Sequence, residues 1–159
     1  IAKLLELNKY DKELTQIIYV SYYTGMRLDE VFNADLDRVE NVRVFKVAET
    51  GGKTEAATRI IPLHSELKKI NLTEWSSPSS TAIGKRFGRL KTRLGYGPEH
   101  VFHSLRKLLS TSLENAGVPE NVSARLLGHE LGTMSYGLYS GGLDFLVLKE
   151  AIEKVDLSA

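Results

Sequence analysis

With 159 residues, 42% hydrophobic and 26% charged, the chain has enough apolar material for one domain with a real core. It contains no cysteine, which excludes a disulfide framework and thiolate metal sites, and no apolar run approaches the roughly 20 residues of a membrane span. The net charge of +1 says little about partners, but its distribution says more: between Thr81 and Leu94 stand Lys85, Arg86, Arg89, Lys91 and Arg93 with no acid among them.

In chain order, "KELTQIIYVSYYTG" spaces Leu14, Ile17, Ile18 and Tyr22 as a helix does, with Gly25 as its break. "MRLDEVFNAD" predicts a short second helix with Leu28, Val31 and Phe32 on one side. "VRVFKVAE" and "TRIIPL" read as strands. The turn-like "TGGKTEAA" between them predicts a hairpin or part of a small sheet. "SSPSSTAIGKRFGRLKTRLG" begins with loop residues and becomes a helix with Ile83, Phe87, Leu90 and Leu94 on one apolar face and its basic residues on the others, weakened by Gly84 and Gly88. "FHSLRKLLSTSLENAG" predicts a helix with Leu105, Leu108, Leu109 and Leu113 inward and Gly117 as its stop. "VPENVSARLLGH" predicts another, with Pro119 near its first turn. "LDFLVLKEAIEKV" closes the chain as an amphipathic helix with Leu143, Phe145, Leu146, Leu148 and Ile152 as its apolar surface. The expected class is α+β, mainly α, with one small antiparallel sheet.

Several residues carry chemistry. In "FHSLRK", a helix places His103 and Arg106 on one face, and an imidazole beside a guanidinium suits a phosphate. His100 lies one turn before His103, but no cysteine or acidic cluster completes a zinc site, so no metal is expected. In "TGMRLDE", Arg27 opens a helix and Glu30 follows one turn later, either as a surface ion pair or as a carboxylate that holds the arginine in place. Gly52-Lys53-Thr54 resembles the end of a P-loop, but Val47 stands where that motif needs a glycine and a strand follows where it needs a helix. What remains is a lysine at a hairpin tip.

The order and spacing of these residues resemble the catalytic domain of the tyrosine recombinases, the phage integrase family. "TGMRLDE" looks like the first arginine box, "KTEAATRIIPLH" like the lysine hairpin and its strand, "HSLRK" like the second box, and "LLGHE…TMSYGLYS" like the segment of the last histidine and the nucleophile. The resemblance runs from about Leu14 to the C-terminus. It implies cleavage and rejoining of duplex DNA at specific sites through a covalent 3′-phosphotyrosyl link, without metal, ATP or other cofactor. In that reading Arg27 and Arg106 clamp the phosphate, His103 is the base, Lys53 protonates the leaving 5′ oxygen and His129 donates to the phosphate. Tyr139 is the nucleophile in preference to Tyr136, although its distance from His129 is one residue longer than in many members. Glu30 supports Arg27, and Ser140-Gly141-Gly142 would give the nucleophile a flexible hinge. Glu49 precedes the glycines where some relatives carry the reactive lysine, and Lys107 stands where a histidine often follows the second arginine.

The resemblance also carries wider expectations. Lys85, Arg86, Arg89, Lys91 and Arg93 would contact DNA. Residues 1–159 would form a single catalytic domain, a fragment that opens with Ile1 and lacks the family's N-terminal DNA-clamping domain. Residues 143–157 would form a C-terminal helix packed on its own domain or on a neighbouring protomer. Partners would be double-stranded DNA, further protomers and accessory DNA-bending proteins, with no membrane, and the location cytoplasmic. Three rival readings stand beside it: a type IB topoisomerase, which shares the arginine–histidine–tyrosine chemistry, a catalytically silent DNA-binding regulator on the same scaffold, and a general phosphodiesterase that releases its product to water.

Overall fold

The computed structural model describes residues 11–48, 58–70, 72, 75–129 and 144–156. Helix α1 (Lys12–Thr24) begins where the Asp11 carboxylate accepts the Leu14 N–H at 3.1 Å. Leu14, Ile17, Ile18 and Tyr22 are all buried, as their spacing predicts, and so are Val20 and Tyr23. The helix is therefore enclosed on more than one stripe, packed against α3 (Ser80–Arg93) and α4 (Ser104–Asn115). It stops at Gly25, which takes the left-handed conformation (φ 64°) and returns its N–H to the Ser21 carbonyl.

Helix α2 (Leu28–Asn33) follows at once, with Val31 buried and Leu28 and Phe32 packed against the core. The chain then makes an antiparallel sheet of order β1 (Asp35–Val39), β2 (Val42–Ala48), β3 (Thr58–Pro62). The β2–β3 pairing matches the two strands read from the sequence. Strand β1 does not follow from its hydrophobic pattern, because "DLDRV" lies largely exposed at the sheet edge with only Leu36 and Val39 half-buried. Its signal is the turn: Glu40 and Asn41 both have positive φ (48° and 65°), as a two-residue hairpin of right-handed strands requires.

The register sets Phe45 opposite Leu36 and Ile61, and Val47 opposite Arg59. One face of the sheet thus presents Phe45, Val47 and Ile61 to the core, and Arg59 shares that face. A short 3-10 turn (Ser65–Lys69) leads away from the sheet and buries Leu67.

In α3, Ile83, Phe87 and Leu90 are buried, while Leu94 is partly covered. Helix α4 buries Leu105, Leu109 and Leu113, and Arg106 with them. Helix α5 (Glu120–Leu127) starts after Pro119 and ends at Gly128, again left-handed. Helix α6 (Phe145–Glu153) lies against β3 and α5. Its Lys149 ammonium donates to the Leu63 carbonyl at 2.6 Å, and its Glu153 carboxylate accepts the Ser65 N–H and hydroxyl at 3.0 and 2.8 Å. Its inward face is Leu148, Ala151 and Ile152, continued by Val155, whereas Leu146 is 51% exposed. Leu146 lies two residues from Leu148 and so falls on the other side of the helix, away from this domain. Leu143 is outside the described residues.

Candidate active site

The site is organised by Arg106, a charged residue only 4% exposed. Its Nη1 donates to the Gly25 carbonyl at 2.9 Å and its Nη2 to the Leu127 carbonyl. These two carbonyls sit at the C-terminal ends of α1 and α5, where helix carbonyls lack intrahelical partners and carry partial negative charge. One guanidinium on α4 therefore satisfies the ends of two other helices. Close packing is needed for this. A Cβ on Gly25 would fall 2.6 Å from Leu127 Cδ2 and 2.9 Å from Leu109 Cδ2, so only glycine fits there.

Three further residues follow from those bonds by chain adjacency. Arg27 lies two residues beyond Gly25, His129 two beyond Leu127, and His103 one turn back along α4 from Arg106. Their charges act on one another. Burial pulls the Arg106 pKa down, and the cations of Arg59 and Arg27 add to it, to about 10, which still leaves it protonated at neutral pH. Partial burial lowers the His103 imidazole below 6.5, helped by Arg106 and Arg27. The same causes, with Arg59 and His103 added, lower His129. Both imidazoles are thus held toward the neutral form near pH 7.

Glu30 ties the first arginine in place. It accepts the Arg27 backbone N–H at 2.7 Å, which caps α2, and Arg27 Nη1 at 3.0 Å. The Arg27 side chain itself is 51% exposed, so the rest of its fork is open to a ligand. The other side of the Glu30 carboxylate takes both terminal nitrogens of Arg59, at 3.0 and 2.7 Å. Burial raises the Glu30 pKa, but the hydrogen bonds and charges of Arg59 and Arg27 outweigh it and hold the carboxyl below its ordinary 4.5.

Arg59 is not among the residues that the motifs single out. Its signal is strand alternation: Ile61 is an inward position of "TRIIPL", so Arg59 two residues earlier must face inward too, and a buried guanidinium needs hydrogen-bond acceptors. Three guanidinium groups against one carboxylate leave this cluster positive, which suits an anion.

The basic helix α3 is less uniform than its sequence implies. Lys85, Arg89 and Arg93 are exposed. Lys85, Arg89 and Lys91 line a shallow open surface with Gly88 and Thr92, and the Lys91 ammonium also donates to the Gly97 carbonyl at 2.8 Å. Arg86 turns the other way, toward α1. Its Nε meets Asp11 at 2.9 Å, and its Nη1 meets Glu13 and the Ser77 hydroxyl, each at 2.5 Å. Burial raises the Glu13 pKa, but hydrogen bonds from Ser77 and Arg86 bring it down to about 2. Arg86, expected among the DNA contacts, is in this structure paired with two carboxylates of its own fold. Lys53, Glu49, Tyr136, Tyr139 and the Ser140-Gly141-Gly142 segment lie outside the described residues.

No family model matches the sequence, and no curated protein matches it. A solved structure does: an integrase from mycobacterium phage Brujita, at a TM-score of 0.67 and 18% identity, covering 98% of this chain and 55% of that one. The chain thus spans about half the length of that protein. At this identity the likeness is one of fold: a mainly helical architecture with a three-stranded antiparallel sheet.

Proposed function

We propose that this domain cuts and rejoins DNA at specific sites through a covalent 3′-phosphotyrosyl intermediate, as a recombinase of a phage or another mobile element. The observation that carries the reading is that the buried Arg106 guanidinium binds the Gly25 and Leu127 carbonyls, each two residues before another cationic or imidazole side chain, Arg27 and His129, with His103 one turn back from Arg106. The integrase-like fold supports it.

The chemistry proceeds by in-line substitution at phosphorus. The Tyr139 oxygen attacks, the P–O bond to the 5′ side breaks, and the bond energy is kept in the new phosphodiester, so rejoining needs no ATP. A tyrosine hydroxyl has a pKa near 10, so a base must take its proton, and a neutral His103 is suited to that. Lys53 gives a proton to the departing 5′ oxygen. Arg27 and Arg106 hold the non-bridging oxygens, whose charge grows in the transition state. Loss of one such donor typically costs on the order of 10²–10³ in rate. His129 adds a hydrogen bond. The partners are duplex DNA, further protomers bound to it and accessory DNA-bending proteins, in the cytoplasm. Lys85, Arg89, Lys91 and Arg93 would track phosphates along the duplex.

The test is trapping. The domain is incubated with nicked duplexes whose cleaved fragment diffuses away, and a protein–DNA adduct is sought on a denaturing gel. The expected result is an adduct that Tyr139→Phe abolishes and Tyr136→Phe retains. Loss in Tyr136→Phe alone would move the nucleophile. No adduct on any site of the source element would overturn the reading.

A further inference from the structure

Glu30 receives four hydrogen bonds, and they divide in a telling way. Each carboxylate oxygen takes one from Arg27 and one from Arg59: Oε1 from the two Nη1 atoms, Oε2 from the Arg27 N–H and Arg59 Nη2. Arg59 makes a two-bond fork that fixes the carboxylate plane, and both side chains of this pair are buried (7% and 5% exposed). The half-exposed Arg27 guanidinium is held by one bond to that plane. The stem of Arg59 also lies directly under Gly128. A Cβ there would fall 2.9 Å from Arg59 Cδ and 3.0 Å from its Nη1, and Gly128 has φ 68°. The next residue is His129.

We propose that Arg59 is a positioning residue of the anion site, aligning the Arg27 fork through Glu30 and the His129 backbone through Gly128. It touches no reacting atom in this role. A lysine at the same place keeps the charge but cannot set the carboxylate plane with two parallel bonds. The proposal rests on the reading of the Arg27–Arg106–His103–His129 cluster as an oxyanion site, and needs no knowledge of the DNA target.

The probe is inorganic sulfate, titrated into the whole chain at neutral pH while the imidazole proton resonances of His103 and His129 are followed by NMR, well below the melting temperature. The wild type is expected to show both resonances shifting along one saturation curve. Arg27→Ala and Arg59→Lys should each weaken sulfate roughly 10-fold or more, the size of a lost charge-assisted hydrogen bond. The double variant should lose less than the sum of the two single losses, because part of the Arg59 effect runs through Arg27. Arg59→Lys should also shift the His129 resonance before sulfate is added. Should Arg59→Lys fail to fold, Arg59→Met with Glu30→Gln removes both buried charges together, and the same weakening is expected. A wild type blind to sulfate would sink the oxyanion site itself. A wild type that binds while the folded Arg59 variants bind equally well would overturn only the role of Arg59, as would full additivity with Arg27→Ala.

Discussion

Glu30 and Arg59, one on the short helix α2 and the other on strand β3, form a buried two-bond ion pair with contacts of 3.0 and 2.7 Å. Breaking such a pair from one side leaves an uncompensated buried charge, which commonly costs about 3–5 kcal/mol. Glu30→Gln is therefore expected to lose that much at pH 7 in urea denaturation. The carboxyl is held below its ordinary 4.5 in the fold, so its stabilisation is full above that value and is lost as pH falls through the lower folded value. The gap between wild type and Glu30→Gln should narrow in the same titration. A gap independent of pH would show that the ionised carboxylate is not what stabilises.

Two glycines should respond oppositely to alanine. At Gly25 the backbone is left-handed and a Cβ meets Leu127 and Leu109 side chains below 3 Å. Gly25→Ala should cost about 2–4 kcal/mol, from backbone strain and overpacking together. Gly88 lies inside α3 with nothing within 4 Å of a Cβ, so Gly88→Ala should raise stability by roughly 0.5–1 kcal/mol. Thermal melts of the two variants check both signs.

The histidines predict a pH split. Both imidazoles are lowered below 6.5 by burial and by neighbouring arginines. Covalent adduct formation should hold at pH 7 and fall as pH drops through those lowered values, when His103 takes a proton and ceases to be a base. Binding to duplex DNA should strengthen over the same range, because each imidazolium adds positive charge. Rate and affinity that fell together would argue that acid merely unfolds the domain.

On α3, neighbouring arginines should behave differently. Arg89→Ala should weaken duplex binding and reduce the salt slope of the affinity by about 1. Arg86→Ala should leave that slope unchanged and instead destabilise the fold by about 1–2 kcal/mol, since it unties α3 from Asp11 and Glu13. Equal effects on the salt slope would mean that Arg86 leaves its carboxylates for DNA.

Local order alone determined a good deal here. Apolar residues three and four apart mark α1, α3 and α4, and Gly25 and Gly128 end their helices because only they enter the left-handed region without strain. The short spacing of Arg27 to Glu30 and of His103 to Arg106 follows from the helical turn. Three things were decided only by tertiary structure. Arg106 became the hub because α1 and α5 end side by side, and nothing near it in sequence says so. Arg59 became the partner of Glu30 through strand register, across 29 positions of chain. Arg86 left the basic face of α3 because Asp11, which caps α1, and Glu13 in its first turn came within reach. Periodicity reports which way a side chain faces on its own element; which charge it meets there depends on the packing of elements far apart in the chain.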